Sequence, residues 1–230
     1  MVDSAEGARA EGEAGDVVEE AGGRDAGGGV VGALELQQAA ARHGAYRWVE
    51  LRLFELTGSW SAAPGLPDAA RVLLFEASAQ HAWHAELWEA RLPALADVDP
   101  DQRTRPPGGR VEAMLARLEP GAGKGEDETT GRRFLVGLAR VVLPLLLVSY
   151  RRYGQHLVPA TDGPTIRALA HVVRDEEEEL TSVEALVDPL VESPEAAQEA
   201  AEWARALGEP TLAQRPDDDF LPRSEGDFAW

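Results

Sequence analysis

The chain reads as an all-α protein: an antiparallel four-helix bundle with a long crossover between helices 2 and 3 and an extra C-terminal helix. Three observations predict this. Four long stretches carry apolar residues at alternating spacings of three and four, the period of a helix with one buried face. No stretch alternates apolar and polar residues, and no hairpin dipeptide sits between apolar runs. The connections between helices 1 and 2 and between helices 3 and 4 are short, whereas that between helices 2 and 3 is about 30 residues, enough to run the height of a bundle.

Residues 1–32 precede the bundle. They are rich in Gly, Ala, Glu and Asp and contain no aromatic residue, so they cannot bury enough apolar surface to offset chain entropy and read as a disordered acidic tail. The bundle proper is expected over 33–207. Helix 1 covers about Leu34 to Thr57, with Tyr46, Val49, Leu53, Leu56 and Trp60 on one stripe and Gly58 after its last good turn. Helix 2 opens at Pro67–Asp68, where proline suits a first helical turn, and stops at Pro93. A short helix is expected at Arg110–Leu118 within the crossover.

Helix 3, about Asp127 to Leu157, is apolar nearly all round and is therefore the most buried. Its segment FLVGLARVVLPLLLVSY, Phe134 to Tyr150, is 17 residues long and contains Arg140 and Pro144. A bilayer span needs about 20 apolar residues, so a buried helix kinked at Pro144 is the better reading. Helix 4 opens at Thr161–Pro164 and continues to about Leu190, and a shorter helix at about Pro194 to Leu207 packs outside. From 208 to 230 the chain reads as an irregular acidic tail, whose Phe220, Phe228 and Trp230 either dock on a partner or fold back on the bundle.

Composition excludes several functions. The chain has no cysteine, which removes disulfides, thiolate metal sites, Fe–S clusters and cysteine nucleophiles. Its formal net charge of −19 argues against nucleic acid and anionic membrane surfaces as partners. The acid is uneven: residues 1–29 carry eight acidic and two basic groups, and 175–202 carry eleven acidic and no basic ones. No signal peptide is visible in the acidic N-terminus, so a cytoplasmic location is expected. Partners are expected to be a second copy of the chain or another protein, met through the bundle surface or the C-terminal tail.

The residues that carry chemistry lie on the predicted buried stripes. On helix 2, Leu74, Ala77, His81, His84, Trp88 and Leu92 share a face, so two imidazoles three residues apart point the same way inside an apolar seam. Such a pair can ligate one metal; equally, each histidine can be a core residue satisfied by Glu or backbone groups. On helix 4, Glu176 falls where the stripe Ile166, Leu169, Val173, Leu180, Val183 expects an apolar residue. A buried carboxylate needs a partner or a cation, unless Asp175–Glu179 is only a solvated acidic run. A rotation of one residue would place Ala170, Glu177 and Glu184 on the seam instead. Glu50 borders the stripe of helix 1. Depth along the bundle allows His81 to share a layer with Glu50, sets His84 nearer Tyr46 or His43, and places Glu176 near the His pair. Tyr150, Tyr153 and His156 read as interfacial residues with solvated tips.

The segments WVELRLFELTGSW (48–60), FEASAQHAWHAELW (75–88) and ALAHVVRDEEEEL (168–180) resemble the first, second and fourth helices of the ferritin-like superfamily. The resemblance spans roughly 40–190 and is closer to uncharacterised bacterial ferritin-like proteins than to an enzyme. It implies a metal centre in the bundle core, iron or another divalent metal being the cofactor, with Glu50, His81, His84 and Glu176 as ligands. It differs from the di-iron pattern in having His-x-x-His on helix 2, Glu three positions after Asp175 and Glu176 on helix 4, and no carboxylate on helix 3 from Arg132 to Leu157. One metal held by two His and one or two carboxylates fits better, in a protein that is an iron-dependent oxidoreductase or else a metal-free helical binding module.

Overall fold

The computed structural model describes residues 36–93, 99–121 and 128–212, and these are helical without any strand. The helices are α1 (Leu36–Ser61), α2 (Asp68–Glu89), α3 (Pro100–Arg103), α4 (Gly109–Ala116), α5 (Glu128–Gly137), α6 (Leu143–Gln155), α7 (Pro159–Val187) and α8 (Pro194–Leu212). The predicted acidic tail 1–32 and the aromatic residues Phe220, Phe228 and Trp230 lie outside the described residues.

The stripe expected on α1 is the buried one: Tyr46, Val49, Leu53, Leu56 and Trp60 are all in the core. Its last turn is tied down by Thr57 Oγ1, which donates to Leu53 O at 2.7 Å, and by Trp60 Nε1, which donates to Leu118 O at 2.7 Å. Contacts then fix the pairing of the long helices. Glu50 meets His81, Phe54 O accepts from Ser78, and His43 meets Arg91 O, so α1 and α2 are antiparallel. Tyr46 meets Ser149 and Trp60 stacks on Phe134, so α1 is also antiparallel to the α5–α6 run. Arg151 pairs with Glu177 and Arg140 with Asp188, setting α6 and the helix before it antiparallel to α7. The core fills the space between them, with Tyr46, Trp60, Leu74, Trp88, Phe134, Leu138 and Tyr150 essentially inaccessible.

Between α5 and α6 the helix widens into a π turn at Leu138–Val142, where the Leu143 N–H reaches back five residues to Leu138 O. Pro144 follows directly. It has no N–H to offer Arg140 O, so the expected break in the helix takes this form. The stretch Thr129–Gln155 is long and apolar enough to cross a membrane, but 72% of its most apolar window is turned into the protein. In α7 the chain enters helix at Pro159, earlier than expected. Asp162 departs from helical angles (φ −103°, ψ 15°) while its Oδ2 accepts from the Val158 N–H at 2.7 Å.

Other boundaries also differ from the sequence reading: α1 continues past Gly58 to Ser61, and α2 ends at Glu89. α3 was not expected; its start is capped by Asp99, whose side chain accepts from the Asp101 N–H at 3.0 Å, with Pro100 in the first turn. And α8 does not end at Leu207 but runs to Leu212, through Pro210. The carbonyl that Pro210 leaves without a helical donor is Ala206 O, and Arg117 Nη1 supplies a hydrogen bond to it at 2.7 Å.

Candidate metal centre

Three helices place the polar core. On α1, Glu50 adjoins Val49 on the buried face and has no exposed surface. On α2, the stripe Leu74, Ala77, His81, His84, Trp88 is buried throughout, so both imidazoles enter the core as their spacing predicts. On α7 the inward face is Leu169, Val172, Glu176, Glu179, Val183 and Val187, with Asp175 beside it. Glu177 and Glu178 point outward and Glu184 is exposed, so the alternative rotation with Glu177 and Glu184 on the seam does not occur.

Glu50, His81, His84 and Glu176 each offer one ligand atom to a cluster in which these atoms lie within 4.8 Å of one another. His81 Nδ1 is 2.7 Å from Glu50 Oε2 and 3.4 Å from Glu176 Oε1. His84 Nδ1 is 3.6 Å from Glu50 Oε2 and 3.2 Å from Glu176 Oε1. A tetrahedron with metal–ligand bonds of about 2.0–2.1 Å has edges of roughly 3.3–3.4 Å, so the four His–Glu separations bracket such an edge, while the 4.8 Å span of the whole cluster is wider than one. The expectation from depth that His84 sits nearer Tyr46 or His43 is therefore corrected, since it reaches the layer of Glu50. Trp88, one turn further on, is the residue that packs on Tyr46 and His43.

An outer layer surrounds these four. His84 Nε2 lies 3.3 Å from Asp175 Oδ2, and His81 Nε2 lies 3.2 Å from Glu179 Oε2 but off line for a hydrogen bond. Tyr150 donates its hydroxyl to Glu50 Oε1. Tyr153 and His43 close the layer above, with Tyr153 Oη and His43 Nε2 2.6 Å apart. The tips of Tyr150 and Tyr153 are thus buried on partners rather than solvated, because the chain brings polar groups of α1 to meet them. Three buried atoms of the cluster, His81 Nε2, Glu176 Oε2 and Glu179 Oε1, have no hydrogen-bond partner. Buried polar atoms are rarely left so, and here they gather in one place where a cation or water would satisfy them.

Electrostatics agree with the geometry. Burial pushes the Glu50 carboxyl up, but the charge of His84 and hydrogen bonds from His81 and His84 outweigh it and hold the group down at about 2. For His84, burial opposes the charged form, yet Glu50 and Glu176 lift the imidazole to about 10. His81 is likewise raised well above its ordinary value, burial being overcome by Glu179 and Glu176. Glu179 itself is raised by burial, which His81 offsets only in part. Burial and the neighbouring Glu50 charge push the Tyr150 hydroxyl up, so it stays a donor. The surrounding acidic side chains thus favour the protonated form of both imidazoles. Exchanging one proton from each imidazole for a single divalent cation leaves the charge of the cluster unchanged.

Sequence reasoning missed the parts played by Glu179 and Tyr150. The signal for Glu179 was its spacing of three from Glu176, which puts both on one helical face. No family model, curated protein or solved structure matches the chain.

Proposed function

We propose that this chain is a ferritin-like bundle protein that holds one divalent metal ion, iron foremost, on Glu50, His81, His84 and Glu176. The observation that carries the reading is the convergence, from three helices, of two imidazole nitrogens and two carboxylate oxygens at donor separations suited to one small cation, fully out of solvent. A nitrogen and oxygen donor set without sulfur suits Fe(II), Mn(II) or Zn(II). Helix pairing supports the ferritin-like connectivity. Both α2 and the α5–α6 run are antiparallel to α1, hence parallel to each other, which calls for a crossover of bundle length between them. Where a di-metal bundle would bring a carboxylate from its third long helix, this chain brings Tyr150, which favours a single ion.

A bound iron would supply Lewis acidity and redox chemistry toward oxygen. The chain's own residues bind it, exclude water from it, and keep a proton on Tyr150 against Glu50. Addition of Fe(II) without oxygen, followed by oxygen, tests the oxidoreductase reading: oxygen consumption with an optical change supports it, and metal uptake with neither removes it. A second reading, a metal-free helical interaction module, draws on one specific observation. With both imidazoles protonated, His81 already makes a 2.7 Å hydrogen bond to Glu50 and His84 a 3.2 Å one to Glu176, so protons can stand where the cation would.

A further inference from the structure

We propose that Asp175 and Glu179 are positioning residues of this centre, each holding the Nε2–H of one imidazole so that both histidines ligate through Nδ1. The inference rests on the metal reading above and adds which nitrogen binds and what fixes it. Both Nδ1 atoms face Glu50 and Glu176, at 2.7 and 3.4 Å for His81 and at 3.6 and 3.2 Å for His84. Both Nε2 atoms face the other carboxylates, at 3.3 Å from Asp175 Oδ2 and 3.2 Å from Glu179 Oε2.

A neutral imidazole keeps one proton. If that proton sat on Nδ1 it would point at the cation, and the bare Nε2 lone pair would face a buried carboxylate. With the proton on Nε2, the lone pair of Nδ1 is free for the metal and the carboxylate accepts a hydrogen bond, which also makes the imidazole a more basic ligand. Residues 175, 176 and 179 share one face of α7, so a single helix delivers one ligand and both orienting carboxylates.

The two orienting groups are held differently. Asp175 Oδ1 is gripped from the solvent side by Arg174, at 3.3 Å from Nε and 3.2 Å from Nη2, which leaves Oδ2 for His84. Glu179 Oε1 has no partner, so its carboxylate can turn about its broad terminal torsion into line with His81 Nε2. Asp175 is thus the preset member of the pair and Glu179 the adjustable one.

Zinc(II) serves as the probe, in the full-length chain. Nitrogen-15 spectra of the zinc-loaded protein should show His81 and His84 both protonated on Nε2 and metal-bound on Nδ1. Asp175→Ala and Glu179→Ala should each weaken zinc binding by about 10–100-fold, the usual cost of losing an outer-shell partner. Asp175→Asn and Glu179→Gln keep an acceptor oxygen, so they should recover part of that loss, and they serve in place of any alanine variant that does not fold. Zinc bound through Nε2 of either histidine overturns the proposal, as does unchanged affinity in folded Asp175 and Glu179 variants. No zinc uptake by the wild-type chain overturns the metal reading as well, whereas uptake with unaltered variants overturns this inference alone.

Discussion

Glu50 uses its two oxygens for different ends: Oε1 accepts the Tyr150 hydroxyl, and Oε2 faces His81 and His84. Tyr150→Phe would leave Oε1 buried and unpaired. We expect a loss of about 1–3 kcal/mol in denaturant-unfolding stability from that change, the cost of an unsatisfied buried acceptor. The raised imidazoles set a pH dependence. A metal needs neutral histidine, and His84 holds its proton up to about 10, so metal binding releases protons and affinity should rise from pH 6 to 9. Calorimetry in buffers of different protonation enthalpy checks the released protons; affinity that is flat in pH would contradict it. Without metal the sign reverses for stability. The His84 contribution is full below its ordinary value of 6.5 and fades as pH rises toward about 10, while that of Glu50 is full above 4.5 and fades as pH falls toward about 2. At this scale His81, His84 and Glu176 were legible because each broke an apolar stripe, and Glu50 because it borders one. Glu179 was not, because five consecutive acids, Asp175 to Glu179, satisfy any helix phase, and only packing against α2 selects which of them turn inward.

At the scale of elements, α1 and α3 approach closely at Gly44. A Cβ on Gly44 would lie 2.1 Å from Arg103 O, so α3 must move if that position gains a side chain. Alanine is the better helix former by about 1 kcal/mol, and here we expect Gly44→Ala to destabilise instead, by about 1–3 kcal/mol, read as a lowered midpoint of thermal unfolding. The four proposed ligands also bridge elements: Glu50, His81 and His84 belong to the α1–α2 pair, and Glu176 to α7. A cation there joins the two. At a free concentration about 100 times its dissociation constant it adds about 2.7 kcal/mol, or roughly 5–10 °C in Tm for a chain of this size. Zinc that leaves Tm unchanged in a thermal scan would argue against a ligand set spanning α2 and α7. The four long helices were legible from periodicity, and the break at Pro144 from the chemistry of proline. The extension of α8 past Pro210 depends on a partner distant in sequence, Arg117 for Ala206 O, whereas α3 starts on a local cap at Asp99 and Pro100 that helical periodicity does not register in so short a helix.

For the whole molecule, a chain of net charge −19 keeps a cluster of titratable side chains inside among the described residues, where solvent and salt screen it least. The all-helical architecture followed from composition and periodicity. How the helices pair followed from loop lengths only in outline, because lengths limit which neighbours are possible without choosing the faces that meet. The central claim is that four side chains from three helices hold one divalent cation. Elemental analysis tests it most directly, on tag-free protein equilibrated with iron, manganese or zinc and then freed of loose metal. About one ion per chain is expected, and none in a folded variant carrying both His81→Ala and His84→Ala. Metal well below one per chain for all three elements, or undiminished metal in the double variant, would contradict it.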